Sequence, residues 1–144
     1  MKISAKTEYA CIAMLELASQ YESGEPVRIR RIAERHDVPP RFLVQILLQL
    51  KGAGLVNSVR GAAGGYHLVS PPQEVSLGQV MEVIDGSGSD NGKGSSASPD
   101  SPAVKVLKQA WGEVAAVQRK MLHEISLADL LERAKGQDER MYYI

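Results

Sequence analysis

The side chains best placed to do chemistry in this sequence are cations set beside permissive backbone. Residues 58–69, SVRGAAGGYHLV, put Arg60 next to Gly61, Gly64 and Gly65, between two runs rich in apolar and β-branched residues. A guanidinium presents planar donors that match phosphate or a base edge, and glycine lets a backbone lie close against a partner. The combination suits a hairpin tip that carries positive charge to a polyanion such as DNA; the competing reading is an ordinary glycine-rich turn. A second set follows Pro40, where Arg41, Val44 and Gln45 recur at helical spacing. Glutamine can bond an adenine edge and arginine a guanine or a phosphate, whereas valine offers only apolar contact, for example to a thymine methyl. The alternative is that one of Val44 and Gln45 packs inward. Enzyme chemistry has little to stand on: HExxH, GxSxG and clustered Cys and His are all missing. His36 and His67 have no carboxylate or cysteine at ligand spacing and read as ordinary polar side chains, and no metal site is expected.

For these groups to act together, particular elements must carry them. Residues 7–21 place Tyr9, Ile12, Ala13, Leu17 and Tyr21 at helical spacing, ahead of the loop ESGEP. After Pro26, Val27, Ile29, Ile32 and Ala33 form an apolar stripe beside Arg28, Arg30, Arg31 and Arg35. The sequence DVPP then breaks the pattern, and Pro40 suits the first turn of a new helix, where its missing amide donor costs nothing. That helix carries Phe42, Leu43, Ile46, Leu47 and Leu50 on one face and closes at Gly52 or Gly54. Two short helices joined by a tight turn predict a helix-turn-helix, and LVNSVR and YHLVS, joined by GAAGG, predict a hairpin directly after it. That order is a winged helix, with Arg60 at the base of the wing tip. Arg28 would then hold its helix on the DNA backbone, while Arg30, Arg31 and Arg35 read as a solvated face as readily as phosphate contacts.

Composition sets wider limits. The chain has 144 residues, a formal net charge of zero and few aromatics, so its core must be largely aliphatic. Residues 1–67 hold more basic than acidic side chains and residues 68–144 the reverse, a mild bias toward a basic front half. The single cysteine, Cys11, excludes an internal disulfide and a cysteine-based zinc site. Neither a signal peptide nor a membrane-length apolar run is present, and a cytoplasmic protein that does not engage membranes is the expectation.

The second half reads as an assembly region. Ser76 and Gln79 have capping-box spacing and predict a helix over residues 76–85. Residues 86–102 are too poor in apolar side chains to bury anything and predict a flexible loop; GKGSS lacks the spacing of a phosphate-binding loop. Val104, Leu107, Trp111, Val114, Gln118, Met121 and Ile125 then alternate in steps of three and four, a seam suited to a second long helix. A homodimer is preferred, since protein two-fold symmetry matches a palindromic operator; packing of this helix on its own domain is the alternative. A capped helix over residues 126–135 precedes a tail ending Met141, Tyr142, Tyr143, Ile144.

The N-terminal MKISAKTEYACIAMLELA, the winged-helix order and above all GLVNSVRGAAGGYHL resemble the Rrf-two (Rrf2) family of bacterial transcription regulators over nearly the whole chain. The resemblance implies DNA contacts at Tyr9, Gln45 and Arg60, with Gly64, Gly65 and Tyr66 completing the wing motif. Val44 departs from the glutamate common at that position, so an operator preference does not transfer. Many members hold an iron-sulfur cluster through three cysteines before the dimerisation helix. Here residues 86–102 contain none, and Lys105 and Lys108 stand near the last ligand positions, so no cofactor is expected. Replacement of native cluster cysteines by the loop serines is the alternative. The tail resembles that of the family's cluster-free cysteine-metabolism branch, whose implied partner is O-acetylserine sulfhydrylase; a terminal carboxylate and Ile144 suit an amino-acid site, and a tail folded back on the dimer is the alternative.

The expected architecture is mainly α with a small β-hairpin: a winged helix-turn-helix (residues 1–85), a flexible loop (86–101), a dimerisation helix with a short following helix (102–135) and a partner-binding tail (136–144). The expected function is a cluster-free, homodimeric, DNA-binding repressor of cysteine or sulfur metabolism, not an enzyme. Competing functions are a thiol sensor using Cys11 and an interaction adaptor that does not bind DNA.

Overall fold

Residues 1–86 and 96–143 are described by a computed structural model. Helix α1 (Ala5–Ser19) begins two residues before the apolar spacing suggests, because the Ser4 hydroxyl accepts the Thr7 amide at 3.1 Å and caps it. Thr7 is buried and its hydroxyl donates to Asp85 at 2.7 Å, tying the start of α1 to the far end of the domain. Ala10, Ala13 and Ala18 bring the backbone of α1 close to its neighbours, while Met14 and Leu17 fill the space between.

Helix α2 spans Ile29–His36 and α3 spans Pro40–Gly52, with Pro40 at the first helical position as its chemistry demands. The turn between them closes through Asp37 in the left-handed region (φ 55°), whose amide bonds the Ala33 carbonyl. Val27 does not join the stripe of α2. It is extended, and its N–H and C=O exchange two 2.8 Å hydrogen bonds with Tyr66. An apolar residue two places before a helix fits either reading by periodicity; the backbone partner decides. On α3 the buried face is Leu43, Ile46, Leu47 and Leu50. Phe42, expected inward, lies one step off that face and stays exposed, its ring against Tyr9 with centroids 5.8 Å apart.

Strands β1 (Val56–Val59) and β2 (Gly65–Leu68) pair antiparallel in the register Val56 with Leu68 and Val59 with Gly65. Val56 and Leu68 anchor the hairpin in the core, and Val27 adds a one-residue third rung. A 3₁₀ turn (Pro72–Glu74) leads to α4 (Leu77–Asp85), which starts with the expected capping box: the Ser76 N–H donates to Gln79 Oε1 at 2.8 Å and the Gln79 N–H to Ser76 Oγ at 3.1 Å.

Residues 87–95, most of the loop expected to be flexible, lie outside the described residues. Helix α5 (Pro102–Glu124) is 23 residues long, and none of its residues is buried. Near its end the His123 ring occupies the space over Gly78 of α4, with Nε2 3.2 Å from Glu82. Ile125, expected on the seam, lies beyond the helix in extended backbone, where its carbonyl accepts the Leu77 amide at 2.8 Å. Helix α6 (Leu127–Tyr143) is capped by Ser126 and Asp129, each amide bonding the other's side chain at 3.0 Å. The Ser126 amide and then its hydroxyl hold the Asp129 carboxyl below the usual carboxylate range. The expected end at Lys135 is overrun: α6 continues through Gly136, Met141, Tyr142 and Tyr143. A single glycine costs a helix only about 1 kcal/mol, and the Gln, Glu, Arg and Met that follow are good helix formers. Ile144 lies outside the described residues. No helix among the described residues is long and apolar enough to cross a membrane.

Candidate nucleic-acid interface

The turn between α2 and α3 sets the first turn of α3 at the molecular surface, and the apolar spacing of α3 decides which side chains face out. With Leu43, Ile46, Leu47 and Leu50 inward, Arg41, Val44 and Gln45 are all exposed; neither Val44 nor Gln45 packs inward. The Arg41 guanidinium lies 5.0 Å from the Phe42 ring centre, and Phe42 leans on the half-buried Tyr9. This stack limits the freedom of Arg41 before any ligand arrives. Tyr9 thus supports the first turn of α3 from α1, a link that sequence spacing does not reveal.

The wing stands beside this helix. Arg60 is exposed immediately after β1, and Arg28, also exposed, precedes α2. Arg28 shares with Ser58 and Tyr66 a shallow pocket of about 320 Å³ between the helix-turn-helix and the hairpin. The glycines serve the wing internally. Gly64 is buried, and a Cβ there would collide with the Val59 carbonyl oxygen. Gly65 has φ +151°, and a Cβ would sit 2.5 Å from the Val27 carbonyl oxygen. The two glycines expected at the tip therefore lie beneath it, where only a hydrogen atom fits, and the exposed tip is residues 60–63. Tyr66 is half-buried and held by its backbone bonds to Val27.

Charge on α2 is sorted by a residue that the motif reading passed over. Glu16 of α1 is 4% exposed and faces α2: His36 Nε2 lies 2.8 Å from its Oε1, Arg35 Nε 3.5 Å from the same oxygen, and Arg31 Nε 3.3 Å from Oε2. The Arg31 contact lacks hydrogen-bond alignment, so Oε2 is held by charge alone. His36, read as having no carboxylate partner, has one from a helix twenty residues earlier. A lone glutamate within the apolar run of α1 was the available signal. Arg30 pairs with Glu34 at 3.6 Å across an exposed turn. Arg31 and Arg35 pair with Glu16, while Arg28, Arg41 and Arg60 are exposed and have no ion-pair partner among the described residues. His67 Nδ1 lies 3.2 Å from the adjacent Leu68 carbonyl oxygen.

The other candidates lie on separate surfaces. Leu107, Trp111, Val114 and Met121 are each at least half exposed along α5, joined by Val106 and Val117, while Val104 and Gln118 are half-buried. Cys11 is half-buried on α1, and burial, then the carboxylates of Asp85 and Glu8, push its thiol up to about 11. An iron-sulfur cluster does not fit this chain: cluster iron takes thiolate ligands, and the only cysteine is this protonated one.

The sequence model of the Rrf2 family, described as iron-dependent transcriptional regulators, matches residues 3–133. An HTH-type transcriptional regulator of Mycobacterium tuberculosis H37Rv is 41% identical over 133 residues, covering 90% of this chain and 81% of the relative. The HTH-type regulator CymR of Bacillus subtilis is 33% identical over the full length of both proteins. Its solved structure, described as that of the global cysteine regulator, superposes with a TM-score of 0.78 over 92% of this chain and 98% of that one, at 30% identity. The IscR structure of T. potens gives a TM-score of 0.76 at 34% identity, covering 93% and 88%. A helix-turn-helix followed by an arginine-bearing wing, on a fold and sequence shared throughout with these regulators, makes this chain a winged-helix transcriptional regulator of the Rrf2 family.

Proposed function

We propose that the protein is a homodimer that binds a two-fold operator, placing the outer face of α3 in the major groove and Arg60 in the adjacent minor groove or on its phosphates. The observation that carries this reading is that Arg41, Val44 and Gln45 are exposed on α3 of a winged helix-turn-helix, and that Arg28 and Arg60 are exposed with no ion-pair partner among the described residues. Dimerisation is supported by α5: a helix about 34 Å long with no buried residue and a row of large apolar side chains has no reason to persist alone in water. A second copy laid along Leu107, Trp111, Val114 and Met121 covers them.

The regulated process is sulfur or cysteine metabolism, and the regulator acts there as a repressor without a cluster. The likeness to CymR over both full lengths supports this reading. In it, O-acetylserine sulfhydrylase docks residues 141–144 and favours the DNA-binding dimer; O-acetylserine releases it by competing for the same enzyme site. The coupling requires that the enzyme bind the DNA-bound form more tightly than the free one. Thiol sensing through Cys11 is disfavoured, because a thiol pushed up to about 11 holds little reactive thiolate.

Two measurements test this. Arg60→Ala is expected to weaken specific DNA binding by about 1 to 3 kcal/mol. Unchanged affinity and salt dependence would remove the wing from the interface and favour an adaptor. Calorimetry with O-acetylserine sulfhydrylase is expected to show binding that is lost on deleting Ile144 or adding O-acetylserine; no binding to the full chain would sever the link to cysteine control.

A further inference from the structure

We propose that Leu48, together with Val44, makes the outer face of α3 a reader of thymine methyl groups, so that specificity in the second turn of this helix is apolar rather than hydrogen-bonded. The inference rests on α3 being the recognition helix and names what that helix selects.

Arg41, Val44, Gln45 and Leu48 stand at positions i, i+3, i+4 and i+7, and the structure exposes all four. Val44 is 45% and Leu48 55% exposed. One exposed leucine needs no explanation. Here two apolar side chains one helical turn apart form a continuous strip, bounded by Arg41 on the N-terminal side and Gln45 alongside. Helix α3 contains no acidic residue and carries Arg41 and Lys51, both exposed, so charge favours a nucleic-acid partner on this face. In the major groove the apolar group on offer is the thymine C5-methyl. Opposite a G·C pair, Val44 and Leu48 would displace water from donors and acceptors that they cannot satisfy. Thymine is accepted and G·C is penalised.

The full-length protein is used to select duplexes from a randomised pool, and the selected duplex is remade with single thymines replaced by deoxyuracil, which removes only the methyl. Deoxyuracil at two or three thymines is expected to weaken binding about fourfold each, the factor that goes with burying one methyl-sized group. Leu48→Ala is expected to abolish discrimination at one of these positions and Val44→Ala at another, both keeping the parental salt slope, which phosphate contacts set. Equal affinity for thymine and deoxyuracil duplexes, or full discrimination by both variants, overturns the proposal while leaving DNA binding intact. Leu48→Ala that sediments as a monomer also overturns it, placing Leu48 in self-association. Failure to select any duplex, with no salt-dependent binding, removes the DNA-binding reading itself.

Discussion

Replacing Glu16 by Gln probes how the helix-turn-helix is held against α1. The substitution keeps shape and volume, so no cavity forms; what changes is charge and one pair of acceptors. Oε1 lies 2.8 Å from His36 Nε2 and 3.5 Å from Arg35, and Oε2 3.3 Å from Arg31, so each oxygen has an arginine beside it. Whichever way the amide turns, one cation then meets an NH₂ group. Turned with its oxygen toward His36, the amide keeps the hydrogen bond that Oε1 makes, and what is lost is attraction to the arginines. The arginines are 47% and 60% exposed, so solvent screening holds their contributions to about 0–1 kcal/mol each. Against these losses stands relief from desolvating a carboxylate that is 4% exposed. The net expectation is a loss of about 1 kcal/mol. Urea unfolding at fixed protein concentration reads it as a lower midpoint with an unchanged slope; concentration must be fixed because self-association itself shifts the midpoint. A second readout separates fold from charge: freeing Arg31 and Arg35 is expected to steepen the salt dependence of DNA binding by up to about 0.9 per arginine that reaches a phosphate. A variant with the parental midpoint and the parental salt slope would refute the view that Glu16 positions α2 and claims its arginines.

Gly65→Ala is expected to open the bridge between Val27 and Tyr66, since its Cβ would lie 2.5 Å from the Val27 carbonyl oxygen. Rapid amide exchange at Tyr66, with weakened DNA binding, would show it. Gly61→Ala, with nothing within 4 Å of the new Cβ, should carry only a backbone penalty of about 1–2 kcal/mol and keep the Tyr66 amide protected. Val114→Glu puts a charge in the middle of the exposed stripe of α5 and is expected to convert dimer to monomer in sedimentation; a persisting dimer would move self-association to another surface. Cys11, with its thiol at about 11, should react with iodoacetamide near neutral pH about 100-fold more slowly than an ordinary thiol at 9. Above pH 9 the unfolded chain loses this proton while the native one keeps it, so stability falls as pH rises from 9 toward 11, and Cys11→Ala should flatten that fall.

Much of the fold was legible because its signals are local. Pro40 at a helix start, the Ser76–Gln79 capping box and the hairpin around GAAGG depend on residues a few positions apart. Element ends were less legible. Val27 carries an apolar side chain at helical spacing but takes its partner from Tyr66, 39 residues away, and α6 runs through Gly136 because its neighbours outweigh one unfavourable residue. Phe42 differs from its expected place for a related reason: periodicity tolerates an aromatic at the edge of a buried face, and its contact with Tyr9 holds it there.

For the proposed site, the residue types on offer are a property of the sequence alone: Arg41, Val44 and Gln45 near the start of one helix and Arg60 beside a glycine turn follow from short-range spacing, while the outward position of both Val44 and Gln45 is settled by the packing of α3. The lack of thiolate ligands for a cluster is likewise fixed by composition. Tertiary structure decided which cations remain free. Glu16, Arg31, Arg35 and His36 meet only because α1 and α2 cross, and Gly64 and Gly65 prove to be packing glycines only because Val59 and Val27 lie against them. Spacing along one element is set by backbone geometry, whereas pairing between elements depends on how buried faces seat against one another, which no local pattern encodes.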